Sequence, residues 1–162
     1  MENDIEKLAG LIKDVKIAML TTVDHDGSLR SRPMATQKAK FDGTLWFFTH
    51  ASSPKIDEVD QTHEVNLSYA SPDDNTYVSV SGTAQLVRDA AKSKELWNPI
   101  LKAWFPKGLD DPDQALLHVN VNKAEYWDSP SSTMVHIAGF VKAIATGKAY
   151  QSSPGEHAKL AL

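Results

Sequence analysis

The chain has 162 residues, 41% of them hydrophobic and 23% charged, which fits one globular domain and excludes a disordered chain. Its formal net charge of −4 gives no global positive field for nucleic acid or anionic lipid, and no apolar run approaches the ~20 residues needed to cross a bilayer. There is no cysteine, so disulfides, thiolate nucleophiles and cysteine-ligated metals are ruled out. The charged N-terminus MENDIEKLAGLIKDVK lacks a signal-peptide pattern, and a cytoplasmic location is expected.

Ile5, Leu8, Ile12 and Val15 recur at helical spacing, and Asn3 with Glu6 offers a capping box, so an amphipathic helix opens the chain. IAMLTTVD (17–24) reads as a strand ending in the turn signal DHDG, and SLRSRPMATQKAKF follows as its hairpin partner. TLWFFTH (44–50) is a third strand, with Asp42-Gly43 as the hairpin turn pairing it to the second. A helix is expected over 54–61, then the strand EVNLSYA, the turn SPDDN and the long strand TYVSVSGTAQLVRD. AAKSKELWNPILKAWF (90–105) has helical spacing with a bend at Pro99. PKGLDDPDQ reads as a polar surface loop, and ALLHVNVNKAEYWD (115–128) as the last strand. STMVHIAGFVKAIATG reads as a helix stopped by Gly147, with a single domain over 1–147 and a loose tail over 148–162. About six strands joined mainly by tight turns indicate a mainly β fold with α, a small antiparallel barrel rather than a parallel sheet.

One short stretch carries the chemistry. Ser53 followed by Pro54 is a strong helix start, and Lys55 in the first turn opposes the positive end of the helix dipole unless an anion sits there. A phosphate would resolve the conflict, with the Ser52 and Ser53 hydroxyls donating and Lys55 supplying charge. The plainer alternative, which these few residues favour by themselves, is that Ser53 caps, Lys55 is solvated, and Asp57 and Glu58 satisfy the dipole. Arg32, in RSRPM, adds a second cation if the second strand pairs with the third. Pro33 removes a ladder donor and places that stretch at an edge. Trp127, in AEYWDSP, offers a stacking surface, although a rim or core tryptophan is the commoner use.

Other chemistries find less support. The histidines at 25, 50, 63, 118, 136 and 157 show no metal-ligand spacing, and no nucleophile elbow, Walker or dinucleotide fingerprint occurs. A barrel binding single-stranded nucleic acid through Trp46, Phe47 and Tyr77 is the main non-enzymatic alternative, but it lacks a basic groove.

SRPM, WFFTHASSPK and AEYWDSPSSTMV together resemble the flavin-binding split-barrel proteins related to pyridoxamine 5′-phosphate oxidase, above all their general stress protein branch, over about residues 5–147. The resemblance implies a six-stranded antiparallel split β-barrel with flanking helices. It also implies FMN, or FAD in its place, held at a homodimer interface. Phe48, Thr49, Ser53 and Lys55 match the family pattern Y-T-N-x-x-S-R-K, whose serine and lysine hold the flavin phosphate. By the same resemblance Thr49 faces the ribityl chain or ring edge, and Arg32, Pro33 and Met34 lie along the flavin. Trp127 comes from the second subunit. Two departures stand out: Pro54 replaces a second basic residue, and SPSSTMVHI carries no arginine where the oxidases place their substrate-handling segment. The expectation is therefore a flavin-dependent redox protein of undetermined substrate that does not oxidise pyridoxamine phosphate. The alternatives are a non-catalytic flavin carrier and a related barrel holding haem or deazaflavin.

Overall fold

Alternating apolar and polar residues build seven strands: β1 (Ile17–Val23), β2 (Leu29–Ala35), β3 (Thr44–His50), β4 (Glu64–Ser71), β5 (Thr76–Val87), β6 (Gln114–Asp128) and β7 (Glu156–Ala161). Helices α1 (Glu2–Ile12), α2 (Pro54–Gln61) and α3 (Ala90–Leu96) interrupt them. The computed structural model describes residues 2–37, 40–61, 63–128, 141–142, 144–147 and 156–162. All pairings are antiparallel, in the order β2-β1-β4-β5-β6-β3, with β7 also on β6. On β1, β4 and β5 one face is buried through Ala18, Leu20, Leu67, Tyr69, Val78 and Val80, while Met19, Ser68 and Tyr77 look outward. Leu8, Phe47, Leu117 and Val119 complete the barrel core. Among the described residues no helix is long and apolar enough to cross a membrane.

The expected hairpin between β2 and β3 does not form. β2 ends at Ala35, and the connection over 36–43 is too long for a tight turn. Asp42 instead accepts hydrogen bonds from the Thr44 N–H and hydroxyl, which starts β3 on its own path. β3 pairs with β6 from Thr44↔Asn120 to His50↔Gln114. Among the described residues β2 and β3 therefore stand at the two ends of the strand order, each with one unpaired edge, and this gap splits the barrel.

One edge of β6 serves β3 over Gln114–Asn120 and then β7 over Lys123–Asp128, while β5 pairs along the other. The β5–β6 register shifts between Ser81 and Gly82, where a Cβ on Gly82 would sit 2.0 Å from the Asn120 carbonyl oxygen; the close approach needs glycine. β7 corrects the expectation of a loose tail. Beyond Asn120 the edge of β6 would be unpaired, and β7 closes it while Ala158 and Leu160 pack on the core.

Helix α1 starts at Glu2 and ends at Ile12, so Asn3 falls inside it and Val15 beyond it. The helix read over 132–147 lies mostly outside the described residues; 141–142 and 144–146 are helical, and Gly147 has a φ of +65°, as a helix stop requires. Asn98 and Pro99 end α3 and open a 3₁₀ turn over Pro99–Ala103, as the bend at Pro99 predicts. That segment lays Trp97 and Phe105 against Phe48, so the start of β6 is buried on both faces and Leu116 and Leu117 are fully enclosed.

Candidate functional site

Helix α2 leaves the outgoing end of β3 and packs against β1 and β5, burying Ile56 and Val59. Glu58 lies on a neighbouring face of the helix, over β1 and β2, and its side chain is only 3% exposed. A buried carboxylate needs partners, and Glu58 has several. The Thr22 hydroxyl donates to Oε2; Arg32 donates to the same oxygen at 2.6 Å and Arg30 to Oε1 at 3.3 Å. Arg32 also donates to Thr22 Oγ1 at 2.8 Å. Burial pushes the Glu58 carboxyl upward, but the Thr22 hydrogen bond and the arginine charges outweigh it and hold the group below the ordinary carboxylate value.

This network brings Arg32 to the first turn of α2. The convergence of Arg32 with Lys55 arises through α2 and Glu58, and not through strand pairing with β3. Lys55 donates to Ser53 Oγ at 2.9 Å. Burial, and next the charge of Arg32, lower the Lys55 ammonium below the usual lysine value, with Glu58 acting in the opposite direction. Lys55, Arg32 and Arg30 thus face one buried carboxylate, while Asp57 in the first turn of α2 is exposed. With Glu58 engaged by Thr22 and the arginines, and Asp113 by Ser52, Lys55 is left at a helix N-terminus paired, among the described residues, only with a hydroxyl, a setting that favours an anion with several oxygens. Because Ser53 Oγ accepts from Lys55, its own proton is left to donate. Two of the five N–H donors of Arg32 are used on Glu58 and Thr22, which fixes the guanidinium and leaves the others.

The remaining expected site residues fall in different places. Thr49 is buried beside this turn, its hydroxyl 3.5 Å from the His50 carbonyl. Phe48 points to the opposite face, edge-on to Trp97 at 5.8 Å. Pro33 is exposed on the edge strand β2 and Met34 is buried in the core, so from this stretch the backbone edge is what a ligand can reach. The Ser52 hydroxyl and N–H both go to Asp113, at 2.8 and 2.9 Å. Trp127 is 42% exposed and stacks on His157 with ring centroids 5.2 Å apart. Along β6, Trp127 lies well beyond Gln114, the partner of His50, while the ladder Arg32–Leu20–Leu67–Val80–Ala124 crosses the sheet from the Arg32 side of the site to the same half of β6 as Trp127.

A family profile described as pyridoxamine 5′-phosphate oxidase like matches residues 3–151. The chain belongs to the pyridoxamine 5′-phosphate oxidase-like family. It is 30% identical over 158 residues to protein bli-3 of Neurospora crassa, covering 91% of this chain and 76% of that one. Among solved structures it is similar to the general stress FMN/FAD binding protein of Xanthomonas citri, with 30% identity, a TM-score of 0.69, and 82% and 93% of the two chains covered. General stress protein 26 of Bacillus anthracis follows at 26% identity, a TM-score of 0.68, and 76% and 93% coverage. The antiparallel half-barrel with few helices is the fold these neighbours share.

In this oxidase-like chain, sequence reasoning missed three residues that organise the site: Thr22, Glu58 and Asp113. Glu58 reads in sequence as a partner of the helix dipole, because its spacing from Ile56 and Val59 does not place it on their face; its burial follows from Thr22 and Arg32 on the neighbouring strands. Asp113 was assigned to a solvated loop; its reach to residues 50–52 depends on β3 pairing with β6, which local pattern does not reveal. Of the aromatics in the nucleic-acid alternative, Phe47 is buried in the core, Trp46 stacks on His118 with ring centroids 4.1 Å apart, and Tyr77 is exposed on the outer face. Among the described residues no group of three or more histidine or acidic side chains could hold a metal ion.

Proposed function

We propose that the protein binds FMN, anchored by its phosphate at the N-terminus of α2, and works as a flavin-dependent redox protein. The observation that carries this reading is the partly desolvated Lys55 held on the Ser53 hydroxyl beside Arg32, a cation at a helix N-terminus without a carboxylate bonded to it among the described residues. Membership of an oxidase-like family and similarity to a general stress FMN/FAD binding protein support it. Ser53 and Lys55 hold the phosphate, Arg32 adds charge at its flank, and the open backbone edge of β2 from Arg32 to Met34 meets the polar rim of the ring. When bound, the flavin supplies the electron chemistry, and the protein supplies anchoring, orientation and local field. The family resemblance extends the reading to a homodimer in which the half-exposed Trp127 of a second subunit covers the ring.

The decisive experiment is a titration of apo protein with FMN and with riboflavin, following flavin fluorescence. FMN should saturate at one per subunit and bind more tightly than riboflavin, which lacks the phosphate. Lys55→Ala should weaken FMN binding by about ten- to hundredfold, the loss of one charge-assisted contact, and leave riboflavin unchanged. Equal affinity for the two flavins in the native protein would overturn the phosphate anchor. Oxidation of NADH or NADPH by the loaded protein would establish turnover, whereas tight binding without turnover would make it a carrier.

A further inference from the structure

The turn that delivers Ser53 and Lys55 is held from across the sheet. Asp113 sits just ahead of β6, and its carboxylate accepts from the Ser52 N–H at 2.9 Å, the Ser52 hydroxyl at 2.8 Å and, when His50 carries its proton on Nδ1, from that ring at 3.2 Å. Its backbone carbonyl accepts from the Ala51 N–H at 2.8 Å. Asp113 is itself braced: its N–H donates to Asp111 Oδ1 at 3.1 Å, and Arg88 donates to the neighbouring Pro112 carbonyl at 3.0 Å. The Ser53 N–H then closes on the His50 carbonyl at 3.0 Å and the Ile56 N–H on the Ser53 carbonyl at 3.0 Å. Residues 50–53 are thus fixed in one conformation before α2 begins.

Resting on the anion-site reading above, we infer that Asp113 is a positioning residue for phosphate recognition, acting through Ser52 to set where Ser53 and Lys55 point. The inference also reassigns Ser52. With its hydroxyl proton given to Asp113, Ser52 serves as the link between the two loops and not as a phosphate donor. A carboxylate so close to an anion site lowers the field there, so its presence calls for a compensating role. Its bonds to the turn provide one, since donors fixed in place beforehand bind an anion without ordering the loop at the moment of binding.

The test compares FMN with riboflavin for the native protein and for Asp113→Ala, Asp113→Asn and Ser52→Ala. Asp113→Ala should lose about tenfold in FMN affinity and keep its riboflavin affinity, because only the phosphate anchor is displaced. Asp113→Asn, which keeps one acceptor for the Ser52 N–H, should fall between. Ser52→Ala combined with Asp113→Ala should cost little more than Asp113→Ala alone, since both cut the same link. Native protein that discriminates FMN from riboflavin while Asp113→Ala discriminates equally well would overturn the inference and leave the phosphate site standing. Native protein without discrimination would remove the phosphate site itself. Parallel melting curves identify a variant that has merely unfolded. In that case Asp113→Asn decides: an unchanged FMN preference there overturns the inference, and a reduced one supports it.

Discussion

The two ends of β6 solve different problems with the same strand. At its start every residue from Gln114 to Leu117 is buried, β3 and β5 pair on either side, and Asp113 reaches out to order the turn before α2. At its far end Trp127 is half-exposed, flanked by His157, which also meets Glu125 at 2.7 Å. The first end gathers polar groups that the chain itself pairs, and the other presents an aromatic ring stacked on His157 and half-exposed. The contrast teaches that one strand is buried and fully paired where it orders the turn before α2, yet offers an accessible aromatic ring at its other end.

Substitutions at four residues probe that division. The largest effect belongs to the charged end. Glu58→Ala removes a buried carboxylate from Thr22, Arg30 and Arg32, and it should cost about 3 to 5 kcal/mol of stability in denaturant unfolding. The native group also has a pH signature. Its folded value lies below the unfolded one near 4.5, so its stabilisation is complete above that pH and is lost as pH falls through the folded value. Acid unfolding of Glu58→Gln should lack this component.

Lys55 gives the next effect, through binding. Its ammonium is lowered in the free protein, and a bound phosphate would raise it again, so affinity should fall as pH rises through the lowered free-state value. Measured upward from pH 7, above the phosphate pKa of about 6, FMN affinity should decline at a pH below the ordinary lysine value of 10.5, and in Lys55→Ala the decline should vanish.

At the aromatic end, Trp127→Ala should change the fluorescence of bound flavin while the melting temperature stays within a few degrees of native. Light scattering that finds one subunit with FMN bound would defeat the shared arrangement. The smallest change is expected for Phe48→Leu. Its ring packs on Trp97 and Phe105, away from Ser53, so FMN affinity should hold within about twofold while stability drops by roughly 1 kcal/mol.

Much of this was legible before any coordinates. The period-two strands, α2 over 54–61 and the break at Pro99 follow from local residue chemistry, and local chemistry is what pattern reading captures. The partner of β3 was not legible, because Asp42-Gly43 carries a genuine turn signal whose consequence depends on a strand far away in sequence. The roles of Glu58 and Asp113 were lost for the same reason. Each is an ordinary acidic residue until the sheet brings Arg32 or Ser52 to it. β7 was missed because its six residues alternate too weakly to announce a strand, and the edge they cover exists only after β3 has ended.

The long separation between β3 and β6 has a consequence for synthesis. TLWFF leaves the ribosome well before Gln114, its partner for His50, about 64 residues later. At roughly 5 to 20 residues per second the nascent strand waits for several seconds with an apolar edge unpaired. During that interval it is a natural client for a holding chaperone, and a nascent chain truncated before residue 114 should aggregate. A circular permutant that makes β6 before β3 should reach the folded state with less help.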